Sequence, residues 1–185
     1  KFSRPHPAKR RPTNVVALLE RTVVLLENRL QKREAVVEWD IPAGESLMAL
    51  SDHEQLSQVF LNLLQNAMEA VTDTESPRTI RVVAWSDEVF LDKALKPGIV
   101  VKIEDNGTGI ADEHLSRIFD PFYSTKHDGS GLGLAISHRI IEEMGGVIDV
   151  SSRQNEGTTF IVTLPADDGS VEEPQLQEGE ESCRA

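Results

Sequence analysis

Two glycine-rich segments, Asp105-Asn106-Gly107-Thr108-Gly109-Ile110 and Gly129-Ser130-Gly131-Leu132-Gly133-Leu134, carry residue types suited to holding an anionic ligand. The first closes an alternating apolar run, Gly98-Ile99-Val100-Val101-Lys102-Ile103, which reads as a strand. The second leads into Ala135, Ile136, Ile140, Ile141 and Met144, apolar at helical spacing. A strand thus ends in one glycine turn, residues 111–128 intervene, and a second glycine turn opens a helix. Glycine allows a positive φ and a close approach of backbone to ligand. Free N–H groups at a helix start attract anions. Each segment alone has a plainer reading: Asp-Asn-Gly is also a tight-turn sequence. Gly129-x-Gly131-x-Gly133 fits neither the dinucleotide fingerprint nor the P-loop, since no Lys-Ser/Thr follows the last glycine.

A helix upstream supplies the other half of the chemistry. Asp52 caps it, it runs to about Thr72, and Leu56, Val59, Phe60, Leu63, Leu64, Ala67 and Val71 form its core stripe. Asn62, Asn66 and Glu69 fall at i, i+4 and i+7, stacked along one line. A solvated polar face is one reading of that line. Asparagine is a weak helix former, however, and Leu61 and Met68 flank the pair. Buried amides need partners, and a polar ligand would supply them.

The remaining elements must position these groups. Residues 1–13 hold three prolines and read as an extended linker with an exposed His6. Thr13 or Asn14 caps a helix with Val15, Val16, Leu18, Leu19, Thr22, Val23, Leu26 and Leu30 on its apolar side. Ala35–Ile41 and Ser46–Leu50 read as short strands around a turn at 42–44. Thr79–Trp85 reads as a strand after a turn at 74–77, and 86–97 as a variable connection. Gly145-Gly146 ends the last helix, and Val147–Ser151 with Thr158–Leu164 forms a hairpin.

Composition bounds the function. The chain has 185 residues and a net charge of −12, with 39% hydrophobic and 27% charged residues, an ordinary globular balance. The acidic balance and the lack of a basic-aromatic stripe argue against nucleic acid as partner. No apolar run approaches ~18 residues, so no segment is expected to span or contact a membrane, and a cytoplasmic location is expected, with a tether to the inner membrane in the full-length protein as the alternative. The lone Cys183 excludes an internal disulfide. Residues 166–185 carry seven acids against Arg184, an acidic tail expected to be disordered. The start at Lys1 suggests a piece of something longer.

In order along the chain, Asn62-Leu-Leu-Gln-Asn-Ala-Met-Glu-Ala70, Asp105–Ile110, Phe119-Asp-Pro-Phe-Tyr-Ser-Thr-Lys126, Gly129–Ile136 and Gly157-Thr-Thr-Phe160 resemble the N, G1, F and G2 boxes and closing Thr of sensor histidine kinases. The resemblance covers roughly residues 13–165. Thr125-Lys126 and Met68-Glu69-Ala70 look most like the nitrogen-regulation branch. It implies the Bergerat ATP-binding fold: an α/β, two-layer α+β sandwich with a mixed sheet on three main helices and a mobile ATP lid. Expected boundaries are a linker at 1–13, the catalytic domain at 14–165 and the tail at 166–185.

The resemblance also implies roles. Asp105 is similar to the carboxylate that accepts from the adenine amino group, a suitable match for a two-donor amine. Gly107 and Gly109 resemble glycines that make room for the ring, with Ile110 beside them. Asn66 is similar to the amide that ligates Mg²⁺, a hard ion suited to oxygen. Asn62 stands where gyrase and chaperone relatives place a catalytic Glu; an amide takes no proton from water, so it is expected to position phosphate or metal. Gly129, Ser130, Gly131, Leu132, Gly133 and Leu134 resemble the phosphate-binding turn. Lys126 is a phosphate contact or a solvated lid lysine. Phe119 and Phe122 resemble lid anchors, and Thr158 the threonine that supports Asp105.

None of the five histidines sits in an acceptor-like H-E-x-x-x-P box, so the phosphoacceptor and dimerisation helices are expected to lie outside this chain. The function implied is a protein-histidine kinase catalytic domain. It would bind Mg·ATP, pass the γ-phosphoryl to a histidine of its own dimerisation domain, and thereby serve a response regulator. A serine kinase of the anti-sigma type and a non-enzymatic nucleotide-sensing module are the alternatives.

Overall fold

The computed structural model describes residues 10–42, 44, 46–73, 77–126, 129–167 and 169. Expectations for His6, Ala43, the turn residues 74–76, His127, Asp128, Asp168 and the tail from 170 with Cys183 fall outside them; Ala166, the first residue of the expected disordered tail, instead bridges antiparallel to Ala49. Strand β1 (Arg11–Asn14) leads into helix α1 (Val15–Lys32), then β2 (Ala35–Asp40), β3 (Met48–Ser51) and α2 (His53–Ala70). A 3-10 turn over Val71–Asp73 precedes β4 (Arg78–Leu91) and β5 (Ala94–Asp105). The short helix α3 (Asp112–Leu115), α4 (Gly133–Glu143), β6 (Val147–Arg153) and β7 (Gly157–Pro165) complete the order.

Five strands form one mixed sheet in the order β2-β4-β5-β7-β6. Only β2 joins it in parallel, beside β4, and α2 lies in the long crossover such pairing needs. Strand alternation sends Ile80, Val82, Ala84, Ile99, Val101, Ile103, Phe160, Val162 and Leu164 to the buried face. There they meet Leu18, Leu19 and Leu26 of α1, Phe60, Leu63 and Leu64 of α2, and Ile140 and Ile141 of α4. This is the expected mixed sheet on three main helices. Phe60 is fully buried at its centre, and truncating such a side chain costs about 3–5 kcal/mol.

Caps set the helix starts. Asn14, rather than Thr13, accepts the Ala17 amide at 3.0 Å. Asp52 Oδ1 accepts the amides of Glu54 and Gln55 at 3.1 and 3.2 Å.

Two expectations are corrected. Residues 11–13, expected as the end of the linker, instead form β1 with Asn14 and pair antiparallel with β3, Arg11 opposite Ser51 and Asn14 opposite Met48. Strands β2 and β3 do flank the turn at Gly44, but they belong to different sheets. Residues 86–97 are not a loose connection. Strands β4 and β5 continue through them as one hairpin, closed by Asp92 and Lys93 at φ 50° and 66°. Two successive positive φ values suit the right-handed twist of the strands. No helix among the described residues is long and apolar enough to cross a membrane.

Candidate functional site

The end of β5, the inner side of α2, the first turn of α4 and the segment between α3 and α4 enclose a cleft of about 540 Å³. That volume suits a small-molecule ligand. Of the residues singled out from sequence, Asn62, Asn66, Asp105, Gly109, Ile110, Lys126, Gly129, Ser130, Gly131, Gly133, Leu134 and Thr158 line it. Gly107 and Leu132 are not among the lining residues. Glu69, Ile118, Tyr123 and Phe160 join the lining without having been assigned to it.

Asp105 is the last residue of β5, opposite Thr158 of β7. It is only 8% exposed, and its Oδ1 accepts the Gly107 amide at 2.9 Å. Burial pushes its carboxyl up to about 6, against the pull of the Gly107 and Thr158 backbone hydrogen bonds and, least, of the Lys126 charge. A buried carboxylate held near its ionisation point in a cleft is a mark of a functional group.

The two G1 glycines are required by backbone contact. A Cβ on Gly107 would stand 2.5 Å from the Ala70 carbonyl carbon at the end of α2, so this turn is pressed against that helix. Gly109, at φ +64°, would meet the Arg153 carbonyl oxygen at 1.9 Å. The turn is therefore wedged between α2 and the β6–β7 hairpin, which fixes where Asp105 points.

A serine with no sequence signal completes this corner. Ser152 Oγ accepts the Ile110 amide at 2.8 Å and donates to the Gly157 carbonyl at 2.8 Å. With its one proton so used, Ser152 accepts from the Thr158 hydroxyl at 2.9 Å. Thr158 is left presenting lone pairs rather than a donor. The corner is thus rich in acceptors and matches a ligand edge bearing N–H donors.

The opposite end presents a helix start. Helix α4 starts at Gly133 with Leu132 as N-cap and no side-chain cap bond, so its first amides are not satisfied by a capping side chain. A Cβ on Gly133 would meet Asn62 Oδ1 at 2.3 Å, while Asn62 Nδ2 donates to Ser137 Oγ at 3.0 Å. Asn66 lies one turn along α2, half-buried, with no side-chain hydrogen bond among the described residues. Its oxygen is a hard donor that fits Mg²⁺, an ion that keeps several water and phosphate ligands rather than needing a protein cage. Lys126 Nζ stands 2.5 Å from Glu69 Oε2.

One lid expectation fails. Phe122 is 78% exposed and holds φ 65°, so it anchors nothing. Its amide donates to the Gly131 carbonyl at 2.9 Å, and a Cβ on Gly131 would meet the Phe122 carbonyl carbon at 2.4 Å. The segment is tied there through backbone. Phe119 does pack, half-buried against the core with its ring 5.0 Å from that of His138. Ile118, 7% exposed, is the buried anchor beside it.

Known proteins resemble this chain in sequence and fold. Residues 51–168 match the family described as histidine kinase-, DNA gyrase B-, and HSP90-like ATPase. The sensory histidine kinase/phosphatase NtrB of Rhizobium leguminosarum bv. phaseoli is 36% identical over 178 residues, 93% of this chain and 46% of that protein. The chain thus spans about half the length of that relative. The nucleotide-free catalytic domain of histidine kinase ThkA superposes with a TM-score of 0.70 at 30% identity, covering 85% of this chain and 95% of that one. ThkA solved in complex with response regulator protein TrrA gives 0.67 at 26% identity, over 85% of this chain and 42% of that one. The chain belongs to the histidine kinase-, DNA gyrase B-, and HSP90-like ATPase family, as an ATP-binding catalytic domain of the two-component histidine kinases.

Proposed function

We propose that this domain holds Mg·ATP with the adenine at Asp105 and the phosphates at the start of α4, and passes the γ-phosphoryl to a histidine on a separate dimerisation domain. The observation that carries the reading is the two-ended cleft. A buried carboxylate backed by Thr158 forms one end, and a helix start without a side-chain cap, flanked by two amides and a lysine, forms the other. The adenine amino group donates to Asp105. The Gly129–Leu134 backbone and Lys126 hold the phosphates. A cation on Asn66 supplies charge neutralisation. Asn62, unable to take a proton, orients the γ-phosphate rather than activating water. In the transfer, the bond from the γ-phosphorus to the β-bridging oxygen breaks and a nitrogen–phosphorus bond forms. ADP leaves with that oxygen, and the imidazole releases its N–H proton. Little else is asked of the protein, because phosphoryl transfer is catalysed by positioning and electrostatics.

Within the family, Thr125-Lys126, Met68-Glu69-Ala70 and the likeness to NtrB support the nitrogen-regulation branch. A response regulator is the downstream partner, a reading supported by the structure of ThkA in complex with response regulator protein TrrA, and the domain works in the cytoplasm. The domain proper starts at β1 and ends with β7. The test supplies this chain with γ-labelled ATP and a separate histidine-bearing helical hairpin. Acid-labile label should appear on the hairpin, rise with its concentration and be absent from the chain alone. Acid-stable label would favour serine phosphorylation. ATP binding without transfer at any hairpin concentration would favour a nucleotide sensor.

A further inference from the structure

Glu69 is the charged residue among the described cleft lining that the reading above does not use. It lies on α2 three residues past Asn66 and lines the same cleft. Its carboxylate meets Lys126 Nζ at 2.5 Å, joining the helix wall to the lid. The lid around Lys126 is a compact turn: the Lys126 amide donates to Ser124 Oγ at 3.1 Å, and that hydroxyl donates back to the Lys126 carbonyl at 3.2 Å. The charge inventory gives the pair its meaning. Among the described lining residues, Lys126 is the one cation, and Glu69 and Asp105 are the anions. Asp105 is buried at the far corner, so a polyphosphate at the α4 end has one ammonium to draw on, and Glu69 already holds it.

We propose that Glu69 is a positioning residue that parks Lys126 across the empty cleft and yields it to the phosphates of the nucleotide. This rests on the ATP reading above. The side chains are 50% and 41% exposed, and a half-exposed pair of this kind is weak enough to be exchanged for a more highly charged anion. The exchange needs no backbone rearrangement of α2. Only the lysine must swing, and Glu69, three residues from Asn66 on the same side of the helix, stays at the rim.

Hydrogen exchange over residues 118–126 tests this, on the whole chain with chelator and no nucleotide, and again with Mg·ATP. Without nucleotide, Glu69→Gln and Lys126→Gln should each speed exchange several-fold. The double variant should add nothing further, and the swapped pair Glu69→Lys/Lys126→Glu should restore protection. A role confined to packing would not be rescued by the swap. With Mg·ATP, Glu69→Gln should regain wild-type protection while Lys126→Gln should not. Wild-type exchange in nucleotide-free Glu69→Gln, or additive effects in the double variant, would overturn the parking contact. Equal protection of wild type and Lys126→Gln by ATP would overturn the hand-over. If wild type binds no ATP, the nucleotide reading itself fails and takes the hand-over with it. That result differs from normal binding with an unchanged lid.

Discussion

The Asn62 side chain donates to the Ser137 hydroxyl at 3.0 Å, so α2 holds its cleft-facing amide through a residue of α4. Ser137 is 1% exposed, and a hydroxyl so buried must be paired. Because Asn62 Oδ1 also occupies the space a Cβ on Gly133 would take, the amide is fixed from two sides by the first turns of α4. An amide that positions phosphate works only if its own rotamer is fixed.

Ser137→Ala removes that hold. Stability should drop by about 0.5–1.5 kcal/mol, the usual worth of one hydrogen bond. ATP affinity should stay near wild type, while transfer to a supplied histidine hairpin should slow on the order of ten-fold through misplacement of the amide. Calorimetric titration and a single-turnover transfer assay separate the two. Unchanged transfer would mean that Asn62 does not depend on Ser137.

Ser152 gathers the Ile110 amide, the Thr158 hydroxyl and the Gly157 carbonyl on one oxygen. Ser152→Ala orphans all three at once, and each partly buried group loses its partner. A stability loss of roughly 1–3 kcal/mol is expected. ATP affinity should also fall, because Thr158 becomes free to rotate beside Asp105. A variant as stable as wild type in a denaturant titration would contradict the network.

What the sequence made legible was what local chemistry decides. The apolar period placed α2, α4 and the end of β5, and their glycines and amides placed the cleft. Ser152 was illegible because a serine in a strand, here next to Ser151, has no pattern; its role exists only where β6, β7 and the 105–110 turn meet. Glu69 stood in the polar line of α2, but its pairing with Lys126 depends on a fold contact 57 residues apart. The outer hairpin was hidden by composition. Asp87, Glu88, Asp92 and Lys93 interrupt the alternation, Pro97 argues against a strand, and Phe90 and Leu95 are 70% and 66% exposed. Prolines at 5, 7 and 12 made β1 read as linker, yet Pro12 sits in a short strand whose sheet has only two members.

The hairpin turn offers a check on that hidden element. Lys93 holds φ 66°, a conformation that costs a side-chain-bearing residue about 1–2 kcal/mol. Lys93→Gly should relieve it, partly offset by the flexibility glycine adds to the unfolded chain, for a net gain of up to ~1 kcal/mol. The Lys96–Asp92 ion pair across the turn is untouched by the change. A lowered midpoint in thermal or denaturant unfolding would show that residues 92–93 do not form this turn.

Asp105 ties affinity, stability and pH together. Its carboxyl is raised on folding from 3.8 to about 6, chiefly by burial. The folded chain therefore binds that proton more tightly than the unfolded one. The stabilising contribution is full below pH 3.8 and is lost as the pH rises through about 6. Keeping the ionised group at neutral pH costs the empty domain roughly 3 kcal/mol. Asp105→Asn should accordingly be the more stable protein at neutral pH, by less than that figure because hydrogen bonds to the carboxylate are weakened, and the advantage should vanish below pH 4. Binding should go the other way. The amino group of adenine needs the ionised acceptor, so wild-type affinity should weaken as the pH falls through about 6. Asp105→Asn should bind ATP about ten- to a hundred-fold more weakly at neutral pH, the worth of a charge-assisted hydrogen bond. Its affinity should lack that step, and titration of the phosphates, common to both proteins, cancels in the comparison. Parallel pH curves for the two proteins would remove Asp105 from the adenine end of the cleft.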